Sequence, residues 1–170
     1  MKIVVLRHAE KCPGKGLTKK GRLQAKKMAK QLKKQGICHL YCGPALRTKK
    51  TARLVNRLLS VSVTEHNSLA DVGFSGNLSA LSTETQESGL SWQGIWLNSG
   101  LGFETCEQFI KRVEVFLGKI MLENNSESTV LIVAHEETVW ALLNIVNGIP
   151  FFEATKQQIP YASIHIFNMD

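Results

Sequence analysis

Two apolar runs in this chain end in the same way. "IVVLRHAEK" (3–11) and "VLIVAHEET" (130–138) are short, branched and uninterrupted, and each closes on a histidine, His8 and His135. Runs of this kind suit strands buried on both faces, a state that parallel neighbours and covering helices provide. The rest of the chain supplies both. Thr18 can cap a helix through about Gln35, with Ala25, Met28, Ala29 and Leu32 on one face and Gly36 as its stop. Ile37–Cys42 reads as a second strand, and after Gly43-Pro44 a helix through Leu59 is expected to bury Thr48, Thr51, Ala52, Val55 and Leu58. Val61–Thr64 reads as a short third strand. A helix from Glu104 carries Phe109, Val113, Phe116, Leu117 and Ile120 on one stripe, and Asn124–Ser128 forms a turn. Thr129–Ala134 is the strand that ends in His135; a helix over Thr138–Val146 and an edge strand over Ser163–Phe167 complete the pattern. Strand and helix alternate throughout, so a three-layer α/β/α sandwich around a mostly parallel sheet is expected. Cys12–Gly16 reads as a loop, and residues 70–103, rich in Gly, Ser and Thr, show no sustained period, the mark of a functional or mobile segment.

A chain of 170 residues suggests one domain, residues 1–170, large enough to bury about 70% of its unfolded surface without staples. No apolar run approaches the ~20 residues of a membrane span, and Arg7 ends the first run well short of a signal-peptide core, so a cytoplasmic protein is expected. The four cysteines do not make a disulfide framework in such a chain. Cys38, His39 and Cys42 invite a metal reading, but alternation along a strand points neighbouring side chains to opposite faces, and no metal site is expected there. The net charge of +7 is unevenly spread: residues 11–50 hold 13 Lys or Arg and no acid. That asymmetry suits a negatively charged partner, or a solvated face.

In open α/β sheets, ligands gather outside the carboxyl ends of the strands. Parallel strands would bring His8 and His135 to one edge, with Arg7 beside the first. The strand at 37–42 would deliver "CGPALRTKKTA" to that edge, with Arg47 one turn into its helix. Two arginines, two histidines and helix N-termini at one edge would make a site for a doubly charged phosphate.

These segments resemble, in order, those of the histidine phosphatase superfamily, the phosphoglycerate-mutase-like group. "LRHAE" looks like its Arg-His-Gly-Glu motif, and "LTKKGRLQA" (17–25) is similar to its Leu-Thr-x-x-Gly-x-x-Gln-Ala helix start. "CGPALRTKKTA" (42–52) resembles its Ser-Ser-Pro-x-x-Arg segment, "GFETCEQFIKRV" (102–113) its Gly-Glu-Ser helix start with a later Arg, and "VLIVAHEETVWALL" its second-histidine segment. Ala9 stands where the family has Gly, Cys42-Gly43 where it has Ser-Ser, and Glu136 where it has a Gly; the resemblance implies that Glu136 would narrow the pocket or repel an acidic substrate. The length is closer to the family's compact phosphatases than to its mutases.

The resemblance implies a metal-independent phosphatase without cofactor, acting on phosphomonoesters through phosphohistidine. His8 would be the nucleophile, with Arg7, Arg47 and His135 holding the phosphate oxygens. The family's carboxylate acid falls in register on Asp71 of "SLADVGFSG" (68–76), with Glu65 and Glu84 as reserves. Glu10 is expected to order the strand-end loop and Lys11 to be solvated. The chain lacks the Gly-rich phosphate loop of nucleotide hydrolases. Substrates would be a phosphorylated small molecule or a phosphoprotein. The alternatives are a phosphohistidine protein phosphatase and, from another class, a non-catalytic module binding phosphate or nucleic acid. Nucleic acid is the weaker partner, since residues 11–50 contain a single aromatic, Tyr41, and so offer no stacking platform.

Overall fold

The computed structural model describes residues 1–12, 14, 16–71 and 104–169. Five strands form its central sheet in the order β5-β4-β6-β1-β7: β1 (Lys2–Arg7), β4 (Ile37–Cys42), β5 (Ser62–Glu65), β6 (Thr129–Ala134) and β7 (Ile164–Asn168). All pairings are parallel except that of β7 with β1. The two histidine-ended runs are the two most central strands in burial, and they are direct neighbours, Arg7 lying opposite Ala134.

The period of two along these strands separates the core into two layers. Ile3, Val5, Val130 and Ile132 face α3 (Cys106–Glu123), α4 (Glu136–Asn147) and the short α5 (Phe151–Ala154), packing on Phe109, Val113, Phe116, Ile120, Val139 and Leu142. Val4, Leu6, Leu131 and Val133 face α1 (Lys19–Leu32) and α2 (Leu46–Leu59), packing on Ala29, Leu32, Ala52 and Val55. The fold is therefore the expected mostly parallel sheet with helices on both faces.

Local chemistry sets the boundaries. Thr18 caps α1, its hydroxyl accepting from the Gly21 N–H at 2.8 Å, and the helix passes through a 3₁₀ turn into Gly36, which takes the left-handed conformation at φ 66°. Thr105 and Gln108 form a capping box, so α3 starts two residues later than the periodicity alone suggests. In contrast, α4 starts two residues early: His135 is already its N-cap, with Glu136 and Glu137 in the first turn, where acids complement the helix dipole. Leu58, expected in the core, is exposed; Leu59 packs in its place. The segment after His8 is a small hairpin rather than a plain loop, β2 (Lys11–Cys12) pairing with β3 (Gly16–Leu17).

Candidate active site

The carboxyl ends of β1 and β6 place His8 and His135 side by side. The His8 N–H donates to the Ala134 carbonyl at 2.9 Å, and the imidazoles meet edge to face with centroids 5.2 Å apart. Both rings are almost fully buried. His8 Nδ1 lies 2.9 Å from the Ala9 carbonyl, which can only accept, so Nδ1 carries the hydrogen and Nε2 keeps its lone pair. Burial, opposed by that bond and reinforced by Arg47, Arg7 and Lys11, lowers the His8 pKa to about 4. The ring is a neutral base with a free nitrogen at any ordinary pH.

His135 has the opposite tautomer. An Arg47 Nη2 hydrogen points at His135 Nδ1 over 3.3 Å, so Nδ1 accepts and Nε2 carries the hydrogen. Among the described residues Nε2 has no partner, although it is buried. Its pKa too is pushed well below the usual imidazole range, first by burial, with Asp71 opposing and Arg47, His8 and Lys11 adding to the fall. One histidine thus offers a lone pair and its neighbour an N–H.

Arg7 and Arg47 flank the rings. Arg7 donates to the Ile159 carbonyl, pairs with Glu136 at 2.8 Å, and lies over the Tyr161 ring at 4.4 Å. Tyr161 in turn stands 5.4 Å from the His8 ring. Residues 159–162 therefore wall one side of the site, and no motif in the sequence marks them. They are held there by the Ala162 N–H, which donates to the His8 carbonyl at 3.2 Å, with Ala162 in the left-handed region at φ 59°. That conformation costs about 1–2 kcal/mol for a residue with a Cβ, so the contact has to outweigh it. On the other side Arg47 pairs with Asp71 and reaches into a cavity of about 270 Å³ that Lys11, Cys12 and Leu46 also line.

Asp71 is brought to His135, one of its oxygens lying 3.9 Å from Nδ1. Two features hold it there. Gly43 has no Cβ, and one built there would stand 2.3 Å from the Leu69 carbonyl, so the segment bearing Asp71 packs directly on the end of β4. A Ser here, as in the family pattern, would require the Leu69 segment to shift. Arg112 of α3 then donates to the Ser68, Ala70 and Asp71 carbonyls at 2.7, 3.3 and 3.3 Å while pairing with Glu104. Glu65 instead pairs with Lys49 at 3.3 Å, in a separate groove lined by Cys42, Arg53 and Arg57. Glu84, and the segment 70–103 beyond Asp71, lie outside the described residues.

Glu10 ties the end of β1 to α1. It accepts from the Thr18 hydroxyl at 2.8 Å, pairs with Lys20 at 3.0 Å, and its N–H donates to Gln24. Gly21 permits this, since a Cβ there would lie 2.2 Å from the Glu10 carbonyl. Lys11 is exposed. Sequence reasoning passes over Glu137, which is buried beside Asp71 and His135.

A family model described as the histidine phosphatase superfamily (branch 1) matches residues 3–170. A comparison with curated proteins finds no match. Among solved structures, an open reading frame product of Mycobacterium tuberculosis is 25% identical, with a TM-score of 0.72 over 97% of this chain and 89% of its own. A putative alpha-ribazole-5'-P phosphatase from Escherichia coli is 21% identical, with a TM-score of 0.79 over 100% and 91%. Phosphoserine phosphatase from Entamoeba histolytica, in complex with 3-phosphoglyceric acid, is 18% identical, with a TM-score of 0.75 over 97% and 89%.

Proposed function

The chain belongs to the histidine phosphatase superfamily, and from that premise we propose that it is a metal-independent phosphatase that hydrolyses phosphomonoesters through a phosphohistidine at His8. The observation that carries this reading is the pairing of tautomers. His8 is fixed with Nε2 as a free base, while His135 beside it presents Nε2–H, and Arg7 and Arg47 flank both.

Phosphoryl transfer asks for positioning and for cations around the equatorial oxygens. The arginines supply that charge in a planar form suited to phosphate. His8 Nε2 attacks phosphorus as the bond to the leaving oxygen breaks; the new N–P bond conserves the phosphoryl group. Asp71 protonates the leaving oxygen. Water then attacks the phosphohistidine, giving its proton to Asp71, and the N–P bond breaks to release phosphate and the neutral imidazole. Arg7 is held by Glu136, and Arg47 by Asp71, so a phosphate entering the site exchanges these carboxylates for its own oxygens. Solved neighbours carry phosphatase names for quite different alcohol phosphates, which supports a phosphorylated small molecule as the substrate class.

A phosphohistidine protein phosphatase is the second reading. It is favoured by the exposed cations of α1 and α2, which suit an acidic protein surface.

Trapping with labelled phosphate ester tests the intermediate. The wild-type protein should yield an adduct stable in base and lost in acid, on the peptide that contains His8. His8→Ala should lose both adduct and turnover, and full activity in that variant would refute the scheme.

A further inference from the structure

Glu137 sits in the first turn of α4, two residues beyond His135, and is 4% exposed. Buried carboxylates normally meet a cation or several donors. Among the described residues no ion pair and no side-chain donor reaches this one, and its own backbone N–H is its hydrogen-bond donor. The charged groups that face it are Asp71, Glu136 and Arg7, two carboxylates against one cation that Glu136 already pairs. One oxygen of Glu137, one of Asp71 and a ring nitrogen of His135 lie within 4.8 Å of one another.

Two carboxyls this close cannot both ionise cheaply. A cation between them would relieve the charge, but the Arg47 guanidinium already occupies the approach to Asp71 and His135. A proton relieves it without displacing anything. The chemistry also needs one: Asp71 is paired with the Arg47 guanidinium, and the leaving oxygen requires an acid. We propose that Glu137 holds the proton that Asp71 delivers, the two carboxyls working as a one-proton pair beside His135. Burial and then Asp71 push Glu137 well above the ordinary carboxylate range, in keeping with a proton resident at neutral pH.

The transfer balances. A gap of up to 4.8 Å is spanned by one water making two ordinary hydrogen bonds. The single proton passes from Glu137 through that water to Asp71, which gives it to the leaving oxygen while the phosphorus–oxygen bond breaks and the bond to His8 forms, leaving both carboxyls ionised in the phosphoenzyme. When water later attacks phosphorus, its proton returns by the same route and Glu137 is neutral again. Glu137 touches neither substrate nor phosphorus; it acts through Asp71. A bound phosphate adds negative charge nearby, which holds the proton on the pair more firmly.

This rests on the reading of Asp71 as proton donor, and the test separates the two. The readout is the ratio of kcat/KM for an alkyl phosphate to that for nitrophenyl phosphate, followed with pH and with each value referred to the dianion of its own ester, so that the ratio isolates leaving-group protonation. In the wild type the ratio should hold through neutrality and fall in base. In Glu137→Gln the fall should begin about 2 pH units lower, the order expected for loss of a neighbouring carboxyl, with kcat/KM for the alkyl ester reduced more than that for nitrophenyl phosphate and Glu137→Asp partly restoring the profile. Asp71→Asn should lower the ratio at every pH. If Asp71→Asn lowers the ratio and Glu137→Gln leaves its profile unmoved, Glu137 is only structural and the proposal fails alone. If Asp71→Asn leaves the ratio intact, both readings fall. A second measurement needs no variant to fold: at neutral pH the infrared spectrum of the wild-type protein should show the carbonyl stretch of a protonated carboxyl. Its absence overturns the proposal. So does activity lost on chelation and restored by zinc or manganese, which would put a metal between Asp71, Glu137 and His135.

Discussion

His8 and His135 are imidazoles that the fold keeps uncharged, and this has a consequence for stability. In the unfolded chain a histidine takes up a proton near pH 6.5, whereas folded His8 does so only near 4. Between those values the unfolded state binds more protons, so stability falls as pH falls. The slope contributed by such a group approaches about 1.4 kcal/mol per pH unit inside the window. His135 acts in the same direction. Glu137 acts in the opposite one: its folded pKa is raised, so its contribution is present in acid and is lost as pH rises above the usual carboxylate value. Denaturant unfolding of His8→Asn from pH 6.5 to 4 should therefore show a shallower dependence than the wild type, by up to that amount. Parallel curves would mean that His8 is not held neutral. At this scale the sequence makes visible the residues whose neighbours in the chain form motifs: Arg7, His8, Arg47, His135, and Asp71 by register. It does not make visible Tyr161 or the buried state of Glu137. Tyr161 reaches Arg7 and His8 across more than 150 positions, and a glutamate in "HEET" reads as a solvated first-turn acid until its burial is known.

The longer elements were legible because each carries its own period and caps. The apolar stripe of α3, Phe109 to Ile120, is buried as spaced, and β1 and β6 are buried on both faces as their composition requires. The hairpin of β2 and β3 was not, since two residues per strand contain no period. What α3 does for the site was hidden for another reason. Arg112 stands in the sequence as the later Arg of the family-like segment 102–113, with no sign of its partners, but its guanidinium gathers the carbonyls of residues 68, 70 and 71 and the carboxylate of Glu104. It positions the segment that carries Asp71 and is partly buried with Glu104, their side chains 22% and 16% exposed. Arg112→Ala leaves those acceptors short of donors, at a cost of about 1–3 kcal/mol in urea unfolding. The kinetic signature should be sharper than the loss of stability. Alkyl phosphates should slow more than nitrophenyl phosphate if Asp71 is the acid as proposed, because it is then misplaced while Arg7, Arg47 and the histidines remain. Arg112→Lys should recover the charge but not the fork, and so only part of the rate. A uniform loss across leaving groups would show that Arg112 supports the fold without placing Asp71.

Across the whole molecule, charge is segregated by layer. The helices on one face of the sheet, α1 and α2, expose Lys19, Lys26, Lys27, Lys30, Arg53 and Arg57, and α1 has no acid in its first turn. Among the described residues the opposite layer, α3 to α5, holds six of the eleven acids, several paired locally, as in Lys111–Glu114 and Lys119–Glu123. Both basic helices begin at the edge where the histidines lie, so an anionic macromolecule drawn to this face is carried toward the site. Such attraction acts on the encounter rate and is screened within a Debye length of about 10 Å at 0.1 M salt. A small phosphate ester feels mainly Arg7, Arg47 and Lys11, and gains little from the distant helix faces. An acidic phosphoprotein presents many charges at once, and its kcat/KM should fall much more steeply with salt than that of a small ester. Replacing Lys26, Lys27, Lys30 and Lys34 by glutamate should remove the difference in slope while leaving the small-ester rate within about twofold, since exposed charges far from the site contribute little there. Duplex DNA should bind weakly and without sequence preference, releasing with salt as counterions return, because the face has charge but no stacking platform. The same comparison of slopes judges the phosphoprotein reading. Equal salt dependence for large and small substrates would mean that the basic layer serves solubility alone, and tight sequence-selective DNA binding at physiological salt would assign this face to nucleic acid instead.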